Sequence, residues 1–303
     1  MARLIFSVLL ALFGTHAIAG AQQSLTPFCG NTGELSASQQ DLVLQFAAVV
    51  QKELDASGAK VALIARDGID LRRFERRYSH AGVIIKNTDG EAASWNVRQL
   101  YYDCDLGTPR LYDQGLAGFL LNADKPDLAY TSIVILPPEK ADALLQVARD
   151  KQRALRLLAA HYSANSYPFS VEYQNCNQWV IELLATAWGD LAYGEDLRQR
   201  AQSWLAKAGY DPAPINVDSH LTKFILGFMP LMHLDDHPDA SRYGMQFQVS
   251  LPDTIEAFVQ TMVPKAQRIE LCHNQQQIVV RQGWSPLGDG CQPRIDDRVI
   301  RYK

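Results

Sequence analysis

The sequence predicts an α+β protein, on three observations. A capping box at Ser36-Ala37-Ser38-Gln39 opens a helical pattern with Leu42, Val43, Phe46, Val49, Val50 and Leu54 on one face. Two β runs, Ala81–Lys86 and Ser94–Tyr102, flank turn chemistry at Asn87–Gly90 and read as a hairpin. A further β run and three more helical patterns follow, before a tail of short β-like stretches.

The elements follow in order. Gly58 ends the first helix, and Val61–Ala65 reads as a short strand. Arg66–Arg77 is a charged connection with five arginines and three acids. It is expected to be a solvated face, with binding of anionic substrate groups as its functional alternative. After the hairpin, Tyr130–Leu136 is a β run closed by Pro137-Pro138. A long helix is predicted from Glu139 to about His161, then an irregular segment over 162–175 that contains Pro168. Cys176–Trp188 reads as an amphipathic helix with Trp179, Val180, Leu183, Leu184 and Ala187 on its apolar face and Gly189 at its end. Asp196–Ala208 is a further helix. The tail carries β-like stretches at Gln246–Leu251, Gln277–Arg281 and Arg298–Tyr302, and the sequence holds no internal repeat.

Residues 1–21 read as a secretory signal: Arg3 is the basic start, Leu4–Phe13 the apolar run, and Ala17-Ile18-Ala19 or Ala19-Gly20-Ala21 the cleavage site. The apolar run is too short for a stable membrane span, so export to the periplasm or medium is expected, with an uncleaved anchor as the bland alternative. Residues 22–245 form the expected main domain and 246–303 a β-rich extension. The chain has 29 Lys and Arg against 33 Asp and Glu, a net charge of −4, which argues against a nucleic-acid partner. Hydrophobic residues at 47% and charged ones at 20% are those of a globular protein. Five cysteines leave one over in an oxidising compartment. If Cys176 is the free one, Cys272 with Cys291 is the natural local pair and Cys29 with Cys104 the remainder, although four cysteines allow three pairings.

The chemistry centres on two residues about a hundred positions apart. His80 opens an apolar β run, and Cys176 opens a helix. A thiol and an imidazole brought together make a cysteine nucleophile with its base. A helix N-terminus lowers a thiol pKa, and its free N–H groups suit an oxyanion. If Lys86 faces Ala93 across the hairpin, His80 faces Gln99, the preferred orienting residue; a shorter register offers Asn96. Tyr78 and Tyr173 are supporting candidates for the oxyanion. The bland reading is a buried Cys packed beside a buried His. His233-Leu234-Asp235-Asp236-His237-Pro238-Asp239 has the composition of a zinc site, but its spacing and missing partner motif favour a solvated loop, and no metal or other cofactor is expected.

His80-Ala81-Gly82-Val83-Ile84 and Asn175-Cys176 resemble the permuted papain-like branch of the NlpC/P60 superfamily, which includes the lecithin retinol acyltransferase-like enzymes. A longer set resembles the bacterial family DUF2145: Arg77–Gly82, Val97–Tyr102, Asp113–Phe119, Tyr162–Asn165 and Tyr173–Trp179, within about residues 25 to 250. The resemblance implies a papain-like fold in which the cysteine helix packs on an antiparallel sheet. It implies Cys176 as nucleophile and His80 as base, with Gln99 where many relatives carry a second histidine or an acid. The implied function is an exported cysteine hydrolase or acyltransferase acting on an amide, ester or thioester of an envelope peptide, lipid or acyl substrate. The rival readings are a catalytically inactive envelope binding protein on the same scaffold, and a metal-dependent protein in which Cys176 is structural.

Overall fold

The computed structural model describes residues 35–88, 93–121, 125–212, 214–220, 223 and 229–302. The signal-like segment and Cys29 lie outside the described residues. Among the described residues, no helix is long and apolar enough to cross a membrane.

The chain is α+β, built on an eight-stranded antiparallel sheet in the order β12-β11-β10-β5-β1-β2-β3-β4. These strands are β1 (Val61–Arg66), β2 (His80–Asn87), β3 (Ser94–Asp103), β4 (Thr108–Gly115), β5 (Leu128–Ile135), β10 (Gln267–Asn274), β11 (Gln277–Gln282) and β12 (Arg298–Arg301). Two small ribbons lie beside it: β6 (His161–Tyr162) with β7 (Tyr173–Gln174), and β8 (Pro214–Asn216) with β9 (Gln246–Gln248). All six residues of β1 are buried, because both faces of the sheet are covered. Side chains alternate along it: Val61, Leu63 and Ala65 join one core, Ala62 and Ile64 the other. Helices α1 (Ala37–Ala56) and α2 (Leu116–Leu121) cover the second face. The first face carries α3 (Pro138–Arg149), α4 (Lys151–Arg156), α5 (Cys176–Trp188), α6 (Leu197–Lys207) and α8 (Pro252–Met262). A short α7 spans Asp239–Gly244.

Several expectations need adjustment. The long helix from Glu139 breaks at Asp150, whose extended backbone lets its carboxylate accept from the amides of Gln152 (3.0 Å) and Arg153 (3.2 Å) and cap a second helix. The hairpin register is shifted by two residues, with Lys86 opposite Trp95 rather than Ala93. A shift of two keeps every side chain on its expected face, whereas a shift of one would reverse them all. The 246–303 segment contributes β10, β11 and β12 to the main sheet, with β10 paired along the whole of β5. Helix α5 is buried all round rather than on one face. Its carboxylate Glu182 is held by Gln174, Gln178, Arg198 and Gln202, so its charge is satisfied without solvent. β4, α2, α8 and β10 have no counterpart in the sequence reading.

Cys272 and Cys291 form the expected disulfide. Cys104 is also disulfide-bonded, and Cys176 is free and buried.

Candidate active site

Asn175 fixes where α5 begins. Its Oδ1 accepts the Gln178 amide at 2.7 Å, and its Nδ2 donates to the carbonyls of Ala164 (3.1 Å) and Ser250 (3.3 Å). The cap therefore also ties the helix start to the irregular segment 162–175. The 233–237 loop clamps that segment from outside: Asn165 Nδ2 donates to His233 O at 2.7 Å, the Tyr167 amide to Asp236 at 2.8 Å, and His237 Nε2 to Asn165 O at 2.7 Å. The expected solvated loop is thus a buttress, with His237 and the Asp236 side chain buried. No group of three or more His, Cys, Asp or Glu able to hold a metal ion occurs among the described residues.

The Cys176 thiol meets the N-terminal end of β2. The β2–β3 ladder runs from Asn87 opposite Ser94 only as far as Val83 opposite Arg98, leaving residues 80–82 paired with β1 alone. Sγ lies 3.9 Å from the Ser79 carbonyl and receives the amides of Ala81 and Asn177. Gly82 lets β3 approach closely just beyond the opening: a Cβ there would lie 2.5 Å from Val97 Cγ1. The thiol is only 6% exposed, and burial pushes its pKa up to about 11. The two amides and the Arg66 charge pull it down without overcoming burial. The depressed pKa expected from a helix N-terminus is therefore not the resting condition of this thiol.

His80 lies on the same strand segment but leans the other way. Its ring stacks on Tyr101 (centroids 4.6 Å apart) and lies 5.9 Å from Phe119 of α2, on the face opposite α5. Nε2 donates to Gln99 Oε1 at 2.7 Å, and Gln99 Nε2 donates to Gln114 Oε1 at 2.9 Å. That chain assigns the proton to Nε2 and leaves Nδ1 as the basic nitrogen. Burial first and the Arg66 charge second lower the His80 pKa to about 3, against a smaller rise from Gln99, so the imidazole is neutral. No hydrogen bond joins the ring to the thiol, whose contacts on this strand are the Ser79 carbonyl and the Ala81 amide.

The remaining candidates fall elsewhere. Asn96 lies opposite Ile85, well along the hairpin from His80. The Tyr78 hydroxyl donates to buried Glu270. The Tyr173 hydroxyl donates to Asp235 at 3.1 Å, and its ring stacks on His233. Two neighbours were missed by sequence reasoning. The Tyr162 hydroxyl lies against the Cys176 sulfur, and burial first, with Cys176 next, holds its pKa well above the ordinary value. Arg66 stands opposite His80 across the β1–β2 ladder and donates to the Tyr101 hydroxyl at 2.5 Å. Tyr162 falls in a stretch already singled out for its family likeness. Arg66 was visible only as one of five arginines.

A family model described as an uncharacterized protein conserved in bacteria (DUF2145) matches residues 53–259, from the end of α1 into α8. No curated protein and no solved structure matches. The chain belongs to the DUF2145 family.

Proposed function

We propose that this DUF2145 protein is an exported thiol hydrolase or acyltransferase of permuted papain-like fold, acting on an amide, ester or thioester of the cell envelope. The observation that carries the reading is the placement of Cys176 Sγ at the open end of the β2–β3 ladder, among the Ala81 and Asn177 amides and the Tyr162 hydroxyl. Export is supported by the signal-like first 21 residues and by the Cys272–Cys291 disulfide.

In this reading the reaction starts from a neutral thiol and a neutral imidazole. Sulfur attacks the substrate carbonyl carbon while its proton passes to His80 Nδ1, directly or through one water. The negative charge on the carbonyl oxygen develops beside the Ala81 and Asn177 N–H groups and the Tyr162 hydroxyl. Collapse breaks the bond to the leaving amine, alcohol or thiol, which takes the proton back from His80 and leaves an acyl group on Cys176. Water or a second acceptor then removes the acyl group, with His80 again taking the proton. Gln99 keeps Nε2 protonated, which leaves the Nδ1 lone pair as the one that can take the proton. No cofactor enters this sequence.

One observation favours the rival reading of a catalytically inactive envelope binding protein. The thiol pKa is raised to about 11, the imidazole pKa is lowered to about 3, and no hydrogen bond joins them. Mass spectrometry after incubation with thioester and activated-ester probes separates the two. A mass increase on wild type that is lost in Cys176→Ala and strongly slowed in His80→Ala supports the enzyme. Identical behaviour of wild type and Cys176→Ala favours the binding scaffold.

A further inference from the structure

The five arginines of the 66–77 connection have unequal fates. Arg72 pairs with Asp70, Arg73 with Asp218 at 3.6 Å, Arg76 with Asp253, and Arg77 with Glu270 and Asp289 at 3.1 and 3.0 Å. Arg66 has no ion pair with any described carboxylate, although it is only 4% exposed. Its Nη1 donates to the Asp67 carbonyl at 2.7 Å and its Nη2 to the Tyr101 hydroxyl, while Nε is buried with no partner. The guanidinium lies 5.3 Å from the Phe119 ring centroid. Neutral oxygens and one aromatic face are weak compensation for a desolvated cation, which ordinarily draws a carboxylate.

The place of this cation gives it meaning. Arg66 ends β1 directly opposite His80. Tyr101, which takes the Nη2 hydrogen bond, also stacks on the His80 ring. The Arg66 charge favours the ionised form of Cys176 and the neutral form of His80.

We propose that Arg66 is the anion-recognition residue of the Cys176 site and that the substrate carries a carboxylate next to the bond attacked. This rests on the thiol-enzyme reading and adds a substrate class to it. A carboxylate is favoured over a phosphate by charge and shape. The imidazole is neutral, so one guanidinium balances one negative charge and leaves a phosphate dianion half compensated. The unbonded Nε lies on the same edge as Nη2, and that edge offers the parallel pair of N–H groups that a planar carboxylate accepts. Free α-carboxylates and acidic side chains both present this group.

Two readouts test the proposal on the folded protein. The first compares alkylation of Cys176 by iodoacetate and by iodoacetamide. In both, the thiolate sulfur bonds to the reagent CH2, iodide leaves and the thiol proton goes to solvent, so the reagents differ chiefly in the carboxylate. Relative to free glutathione, wild type is expected to favour iodoacetate by about tenfold more than Arg66→Gln does, the scale of one charged contact in a partly desolvated site. The second readout is thermal stabilisation by succinate against succinamide. Succinate is expected to raise the melting temperature of wild type and of Cys176→Ala but not of Arg66→Gln, and succinamide to raise none. Arg66→Lys keeps the charge and loses the fork, and is expected to fall between them; it stands in if Arg66→Gln does not fold. Charge-blind labelling together with no succinate effect in wild type overturns the Arg66 assignment and leaves the thiol reading intact. A Cys176 inert to both reagents, with succinate stabilisation that depends on Arg66, supports the anion site and counts against the thiol enzyme.

Discussion

Asn177 Nδ2 donates to the Ser79 carbonyl at 3.1 Å, and that carbonyl lies 3.9 Å from Cys176 Sγ. One side chain of α5 thereby binds the helix start to the residue preceding His80, and keeps the thiol inside the opening between β2 and β3. The contact crosses from the first turn of a helix to the lead-in of a strand about a hundred residues earlier.

Asn177→Ala should loosen this docking. Losing a buried side-chain hydrogen bond to the backbone costs about 1–3 kcal/mol, part of it from leaving the Ser79 carbonyl undersatisfied. Because burial is what raises the thiol pKa, the same substitution should also speed alkylation of Cys176 at neutral pH. Denaturant titration and alkylation kinetics check both. A stable variant with an unchanged rate would show that the docking does not control thiol access.

The Cys176 thiol should label slowly at neutral pH and accelerate toward pH 11. Its folded pKa is about 11 against an ordinary value of 9.0, so the folded state holds its proton where the unfolded chain has released it. Stability should therefore fall as pH rises from 9 toward 11, and Cys176→Ala should remove that component. The pH profile of iodoacetamide labelling, followed by peptide mapping, reads the pKa directly.

Gln99→Leu should separate positioning from packing. Leucine approximates the volume of Gln99 but cannot hold His80 Nε2 or Gln114. Acyl-adduct formation should drop by about a hundredfold, the scale of a disoriented general base. The fold should lose only about 1–3 kcal/mol. Adduct formation at the wild-type rate would remove Gln99 and its hydrogen bond to His80 from the mechanism.

His273 is an acid-labile point remote from the site. Both ring nitrogens are buried without hydrogen-bond partners, its ring lies 4.7 Å from Phe46, and burial lowers its pKa to about 4. The folded protein holds it neutral while the unfolded chain protonates below pH 6.5, so stability falls as pH drops from 6.5 toward 4. At pH 5 this amounts to about 2 kcal/mol. His273→Phe should melt higher than wild type at pH 5, with the gain shrinking above pH 7. Paired melts at pH 5 and pH 7.5 decide it.

Much of the fold was legible where local chemistry is strong. The Ser36 capping box and the Asn175 cap before Cys176 satisfy backbone groups within three residues, and the unbroken apolar run of β1 marks a strand covered on both faces, so pattern alone locates them. The His80–Gln99 contact was also legible, although the register behind it was displaced by two residues. Parity along a strand survives such a shift, and a glutamine is long enough to reach its diagonal neighbour. The break at Asp150 was missed because the flanking helical patterns run on through it. The placement of β10 beside β5 was decided by pairing partners more than a hundred residues away, which no local pattern encodes. The balance of forces at Cys176 likewise belongs to the tertiary structure. A helix N-terminus argues for a low thiol pKa, but burial depends on everything packed around the sulfur, and here it dominates. The arginines of the 66–77 connection were decided in the same way: only Arg72 pairs with a near sequence neighbour, Asp70, whereas Asp218, Asp253, Glu270 and Asp289 reach Arg73, Arg76 and Arg77 from the far half of the chain, and the folded chain leaves Arg66 opposite His80 with no ion pair to a described carboxylate.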